Sequence, residues 1–261
     1  MGGKTDDAKK RIFHRISIVL FIGFVALTLV AGVALLRQHL QLTRDLQLQQ
    51  ALESGVLAES GSEESQTAQG GALLPKYSGT AAVCPDFAGW LRLPGDPGLS
   101  RVVVQTADNA YYLTHNYKGE DSRYGELFLD ASCQPKKPSR NLIVYGHGYR
   151  NDSQMFGILQ KYARKKYALA NPTFYFSNGV HEYECTIFAV RRIYPGSMDY
   201  FSVDFADDQS FMKYVDSARA DALYDLDVTV SPQDNIITLY TCDYTFWQAR
   251  LLVHAVLRQV D

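Results

Sequence analysis

Hydrophobic and polar positions divide the chain into three parts before any motif is considered. Ile16 to Leu36 is a run of 21 residues without a charge. As a helix rising about 1.5 Å per residue it is about 31 Å long, close to the thickness of a hydrocarbon core. No polar face recurs within it, which argues against a buried helix of a soluble domain. Residues 37–54 can continue as a helix, but Leu40, Leu46, Leu48 and Leu52 hold no heptad. Residues 54–72 are Ser, Gly, Glu and Gln with almost no large apolar side chains. Such a segment buries too little surface to offset its ordering entropy and reads as a flexible tether. The folded domain is expected to start near Leu73.

Beyond that point the pattern is one of strands. Arg101–Gln105 and Tyr111–Leu113 are β-branched and aromatic runs separated by the turn-prone Asp108-Asn109. Leu127–Leu129, Asn141–Tyr145, Tyr183–Ile193, Asp227–Val230, Ile236–Thr241 and Ala249–Leu257 follow. Two helical patterns interrupt them. Met155, Ile158, Leu159 and Tyr162 recur at i, i+3, i+4, i+7, with Asn151-Asp152-Ser153 as cap and Asn171-Pro172 as stop. A second helix opens at Asp207 or Asp208 and puts Phe211, Tyr214, Val215 and Ala218 on one face. About eight short strands with few helices predict a mainly β (α+β) domain, a closed barrel or a sandwich.

Charge gives the apolar run a direction. Residues 1–15 carry Lys4, Lys9, Lys10, Arg11 and Arg15 against Asp6 and Asp7, whereas only Arg37 closely follows the run. The positive-inside rule then leaves 1–15 as a cytoplasmic tail and 16–36 as a transmembrane signal anchor. Residues 37–72 become an extracellular linker and 73–261 an extracellular domain. A cleavable signal peptide has an apolar region of roughly 7–15 residues. This run is longer and ends in Leu35-Leu36-Arg37-Gln38 without a convincing cleavage site. A net charge of −2 excludes a nucleic-acid partner held by a global basic field. Four cysteines are too few for a disulfide-built scaffold.

One of those cysteines sits where chemistry can use it. The strand Ile236–Thr241 runs into Cys242, and alternation puts Ile236, Thr238, Tyr240 and Cys242 on one side. A thiol ending an apolar strand is held rigidly yet reaches the rim. Its bland alternative is a small buried hydrophobe. Two further residues tilt the balance. Leu142–Gly148 is a second apolar strand ending in His147 between two glycines, a poor core position and a plausible acid/base group. Arg250 heads the apolar strand Ala249–Leu257, where a permanent charge is costly unless it meets an anion or lines a cleft. Thiolate attack, proton transfer and oxyanion stabilisation together suit acyl transfer.

With Cys242, His147 and Arg250 in view, the chain resembles the sortases, and more narrowly class B. Thr238-Leu239-Tyr240-Thr241-Cys242, with Arg250 eight residues on and Leu251-Leu252-Val253-His254-Ala255 behind it, is similar to that family's signature. Pro85–Leu91, Asp108–Leu113, Gly125–Asp130, Tyr145-Gly146-His147 and Met155-Phe156 follow in the expected order, so the resemblance covers about residues 75–261. It implies a closed eight-stranded sortase-type β-barrel with a few peripheral helices, and a cysteine transpeptidase needing no metal or organic cofactor. Its partners would be secreted proteins with a C-terminal sorting signal and an amine of a peptidoglycan precursor. A pilin lysine as acceptor is the nearer alternative, an inactive surface binding protein the farther one. Cys242, His147 and Arg250 would be catalytic. Asn109, Leu113, Tyr145, Tyr240 and Thr241 would touch substrate, with Tyr240 a departure where several relatives have Ser.

The remaining candidates read as structural. A Cys84–Cys133 disulfide is conceivable but free thiols are favoured, and His254, on the Arg250 face, reads as a core residue. His181 and Cys185 suit a metal only on a helix, and their neighbours indicate a strand.

Overall fold

The computed structural model describes residues 3–60, 72–95, 98–136, 139–149, 153–194, 201–242 and 249–260. Helix α1 spans Gly3–Ser60. Among the described residues it alone is long and apolar enough to cross a membrane, with a mean hydropathy of 2.8 in its most apolar window. Val19, Leu27, Leu29 and Val30 on different sides of it are all exposed. A helix segment that is apolar all round suits a lipid surrounding.

The helix does not stop where the tether was expected. It continues through residue 60, while residues 61–71 lie outside the described ones. Leu48, Leu52 and Val56 recur at i, i+4, i+8 and pack against Leu74, Tyr77, Trp90, Val102, Val104 and Phe128. The compact unit that holds the barrel runs from Leu48 to Asp261. The heptad test missed this because one apolar stripe on a barrel needs only three positions on one helix face.

Eight strands form a closed barrel in the order β1-β2-β3-β4-β7-β8-β6-β5. They are β1 Phe87–Leu93, β2 Leu99–Val104, β3 Leu127–Leu129, β4 Asn141–Tyr145, β5 Thr173–Ser177, β6 Glu182–Ile193, β7 Asn235–Cys242 and β8 Arg250–Gln259. Two neighbours run parallel, β2 with β3 and β4 with β7; the other pairs are antiparallel. Leu91, Leu93, Val103, Leu142, Phe174, Phe176, Ile237, Leu239 and Leu251 fill the interior. Of the two architectures left open by pattern alone, the barrel is the one formed.

Short helices sit around it: α2 Ser78–Val83, α3 Lys165–Ala170 and α4 Asp208–Ala220. Helix α4 starts as expected, its cap Asp207 accepting a bond from the Ser210 amide, and Phe211, Tyr214, Val215 and Ala218 are its buried face. The Met155 pattern instead forms a 3-10 segment, Met155–Ala163, followed by α3, which ends before Asn171-Pro172. Of its expected cap, Asn151 and Asp152 lie outside the described residues.

Three strand expectations change. Tyr111–Leu113 is a 3-10 turn, because Asp108 Oδ1 accepts from the amides of Ala110 and Tyr111 and bends the chain there. Asp227–Val230 is not a strand, since a closed barrel leaves no edge for it to join. Thr173–Ser177, overlooked in the pattern, is β5 and closes the barrel between β1 and β6.

The face of β7 and β8 covered by α4 buries a polar chain. Asn141, Thr238 and His254 are fully buried and Arg191 nearly so. Thr238 Oγ1 donates to Asn141 Oδ1 at 2.8 Å and so accepts from His254 Nδ1 at 2.9 Å. His254 Nε2 then accepts from Arg191 Nε at 3.1 Å. The ring is thereby fixed neutral, with its proton on Nδ1. Burial, reinforced by the Arg191 charge, holds its pKa well below the ordinary histidine value. His254 is structural, as its sequence context indicated. Below pH ~6.5 the unfolded chain protonates this histidine and the folded one does not, so folding stability falls as pH drops from about 6.5 towards the folded pKa. The expected slope from this group is about 1.4 kcal/mol per pH unit. Urea midpoints at pH 5, 6 and 7 check it, and a His254→Gln chain whose acid slope is as steep as the wild type's would contradict the assignment.

Candidate active site

Parallel pairing of β4 and β7 aligns Asn141 with Ile236 through to Tyr145 with Tyr240, so both strands reach the same rim together. His147 lies two residues beyond Tyr145, and Cys242 two beyond Tyr240. The Gly146 amide extends the ladder by donating to the Tyr240 carbonyl at 3.2 Å. Strand β8 returns antiparallel and pairs Arg250 directly with Cys242. Opposite residues in such a pair have Cα atoms roughly 4.5–5.5 Å apart. Three residues distant in sequence therefore meet at one barrel rim through backbone register.

His147 is held from outside the barrel. Its Nε2 donates to the Leu113 carbonyl at 2.7 Å, an oxygen that can only accept. In the neutral ring this leaves Nδ1 free of hydrogen and able to take a proton. Its own carbonyl accepts from the Phe156 amide at 2.9 Å. The Tyr149 ring lies 5.5 Å from the imidazole. Gly146 is required by close approach: a Cβ there would lie 2.5 Å from Leu127 Cδ2 and 2.7 Å from Phe156 Cδ2.

Arg250 is half-buried, and its Nη1 donates to the Ala249 carbonyl at 3.0 Å. The other cysteines are poor nucleophiles. Cys84, Cys133 and Cys185 are free and buried, Cys84 in the cluster outside the barrel and Cys133 in the barrel core. Burial pushes the Cys84 and Cys133 thiols up to about 12 and Cys185 well above its ordinary value. A thiol so raised supplies almost no thiolate near neutral pH. Cys185 lies within β6 and His181 in the turn before it, an arrangement without the helical spacing a metal would need.

The five expected substrate-contacting residues separate. Tyr240 is half-buried at the rim, its ring edge-on to Tyr145 at 5.0 Å and 5.9 Å from Phe201. Leu113 lies beside His147 with its side chain exposed and its carbonyl engaged. Asn109 and Tyr145 are turned to a different partner. Asp130 Oδ2 accepts from Asn109 Nδ2 and from the Tyr145 hydroxyl, each at 2.8 Å. Asn109 Oδ1 accepts from the Ala131 amide at 2.8 Å. Burial and the Asp130 carboxylate both raise the Tyr145 phenol. Their polar groups thus tie the Asn109 loop to the rim, leaving ring surface of Tyr145 for other contacts. Thr241 is buried, and its hydroxyl has no partner among the described residues.

Asp130, the hub of that tie, was overlooked as a functional residue. Its signal was an acid directly after the apolar strand Leu127–Leu129. Phe201, beside Tyr240, carries no local signal at all.

With that geometry in place, the chain is similar to known proteins over most of the barrel. Residues 102–258 match the family model described as the Sortase domain. Sortase B of Listeria monocytogenes is 38% identical over 160 residues, covering 60% of this chain and 63% of that one, under two thirds of its length. Sortase B of Staphylococcus aureus is 28% identical over 189 residues, 72% of this chain and 76% of the relative. The crystal structure of sortase B from Bacillus anthracis in complex with AAEK1 superposes with a TM-score of 0.74 at 26% identity, over 85% of this chain and all of the other.

Proposed function

The chain belongs to the sortase family, and on that premise we propose that it is a class B cysteine transpeptidase that attaches secreted proteins to the cell wall. The carrying observation is the register that pairs Cys242 with Arg250 and brings His147 to the same rim. The Cys242 thiolate attacks the carbonyl carbon of the Thr in a C-terminal sorting motif. Arg250 donates to the oxygen on which charge develops. The intermediate collapses with cleavage of the bond after Thr, His147 giving its proton to the leaving amine. A thioacyl-enzyme remains. An amine of a peptidoglycan precursor, losing its proton to His147, attacks it and releases the thiolate.

The N-terminal segment supports a site of action. Helix α1 is a possible membrane anchor, and the basic residues before Ile16 favour a cytoplasmic N-terminus with the barrel outside. Secreted substrates then emerge at the membrane that holds the enzyme.

The test uses peptides copied from proteins of the same genome that end in a short motif, an apolar helix and a basic tail. The expected result is cleavage of a subset after Thr and, with an amine acceptor added, a mass shift equal to the acceptor less the leaving fragment. Absence of cleavage across that whole set would count against the reading. Transfer to a pilin lysine peptide but not to a peptidoglycan-type amine would redirect it to polymerisation.

A further inference from the structure

Arg101 is the third residue of the apolar strand β2 and is 7% exposed. No step of the proposed chemistry uses it. Its Nη1 lies 3.6 Å from Oε1 of Glu126, which is 1% exposed, and its Nη2 donates to Gln154 Oε1 at 3.3 Å. Glu126 is engaged on both oxygens. Gln49 Nε2 donates to Oε2 at 2.6 Å, and the Leu127 amide to Oε1 at 3.2 Å. Two ions taken out of water persist only where such partners satisfy them, so these contacts form one connected set from α1 to Gln154.

The far end of that set reaches the histidine. Gln154 directly precedes Met155, which at φ +49° is the only non-glycine residue among those described with positive φ. Such a backbone persists only when its surroundings over-determine it. Two ties do so here. The Gln154 side chain is anchored on Arg101, and the Phe156 amide donates to the His147 carbonyl. Relaxing φ at Met155 would turn the Phe156 amide away from that carbonyl and free the segment that carries the imidazole.

We propose that Arg101 is a positioning residue for His147, acting through Gln154 across the strained Met155 turn, and that Gln49 of α1 sets it in place through Glu126. The proposal rests on the acid/base role of His147 argued above. It gives the end of α1 a part in the reaction besides attachment.

The experiment uses the full chain in detergent or vesicles, with peptide cleavage kinetics and the pH dependence of Cys242 alkylation by iodoacetamide as readouts. Gln154→Ala is expected to lower kcat about tenfold with KM unchanged. It should also move the alkylation profile in the same direction as His147→Gln does. Gln154→Glu, whose carboxylate can accept the same bond from Arg101, is expected to restore at least half of the lost rate. Gln49→Ala should act in the same sense, by about threefold. Alkylation is read well below each variant's melting temperature, so a loss of stability alone would leave its pH profile unmoved. Wild-type kcat and alkylation profile in Gln154→Ala would overturn the proposal, as would Gln154→Glu being as impaired as Gln154→Ala. Wild-type turnover by His147→Gln would instead overturn the acid/base role on which it rests.

Discussion

Cys242→Ala is expected to reduce peptide cleavage and transfer by at least about 10³-fold, to a level set by background hydrolysis, while the chain stays folded. No other cysteine among the described residues can take the place of this nucleophile. The three cysteines whose surroundings are described are buried, with the Cys84 and Cys133 thiols raised to about 12 and Cys185 well above its ordinary value. Water attacking in place of the thiolate would form no acyl-enzyme and so would lose the split of one difficult step into two. Strand β7 is held by its backbone ladders to β4 and β8, so losing one sulfur at its last residue leaves those bonds intact. Chromatographic separation of the products measures the rate, and far-ultraviolet circular dichroism with a melting curve checks the fold. Turnover persisting in a well-folded Cys242→Ala chain would place the nucleophile elsewhere.

His147→Gln is expected to lower kcat by roughly 10²–10⁴-fold, the range for loss of a positioned acid/base group. Glutamine makes the comparison clean. Its amide nitrogen can still donate to the Leu113 carbonyl, as Nε2 does now at 2.7 Å, so the loop keeps its tie while proton transfer is lost. The defect should also depend on the leaving group. A substrate in which the amide after Thr is replaced by an ester needs no proton to depart, so its acylation should recover much of the rate. Equal losses on amide and ester substrates would point to misfolding or lost binding rather than to proton transfer. Unchanged kcat on the amide would remove His147 from the mechanism.

How much of this was legible in the chain varies with the range of the interactions involved. The apolar run at 16–36, the Asp207 cap and apolar face of α4, and the strands Leu127–Leu129 and Asn141–Tyr145 are local matters of period, cap and side-chain branching. They appear in the structure where pattern put them. Cys242, His147 and Arg250 were visible as polar groups ending apolar strands. Their meeting at one rim needed the parallel register of β4 with β7, which no window of sequence contains. The same holds for the misread segments. Thr173–Ser177 is a strand because β1 and β6 lie on either side of it, and Asp227–Val230 is not, because the barrel is already closed.

Side-chain roles show the division most sharply. Thr241, for which the family resemblance implied a substrate contact, is buried in β7, whereas Tyr240 beside it is half-buried. Asn109 and Tyr145 are polar groups near the site, yet Asp130 claims both. Leu48, Leu52 and Val56 looked too sparse to matter until the outer surface of the barrel supplied their partner. Sequence by itself determined the elements that local pattern specifies, such as α4, β3 and β4, and the groups whose chemistry could be reactive, because periodicity, capping and intrinsic chemistry act within a few residues. Tertiary structure alone decided which groups meet and which are left free to react. Gln49 with Glu126, 77 residues apart, Arg101 with Gln154, 53 apart, and Cys242 with Arg250 are chosen by strand register and barrel closure, which depend on the whole chain at once.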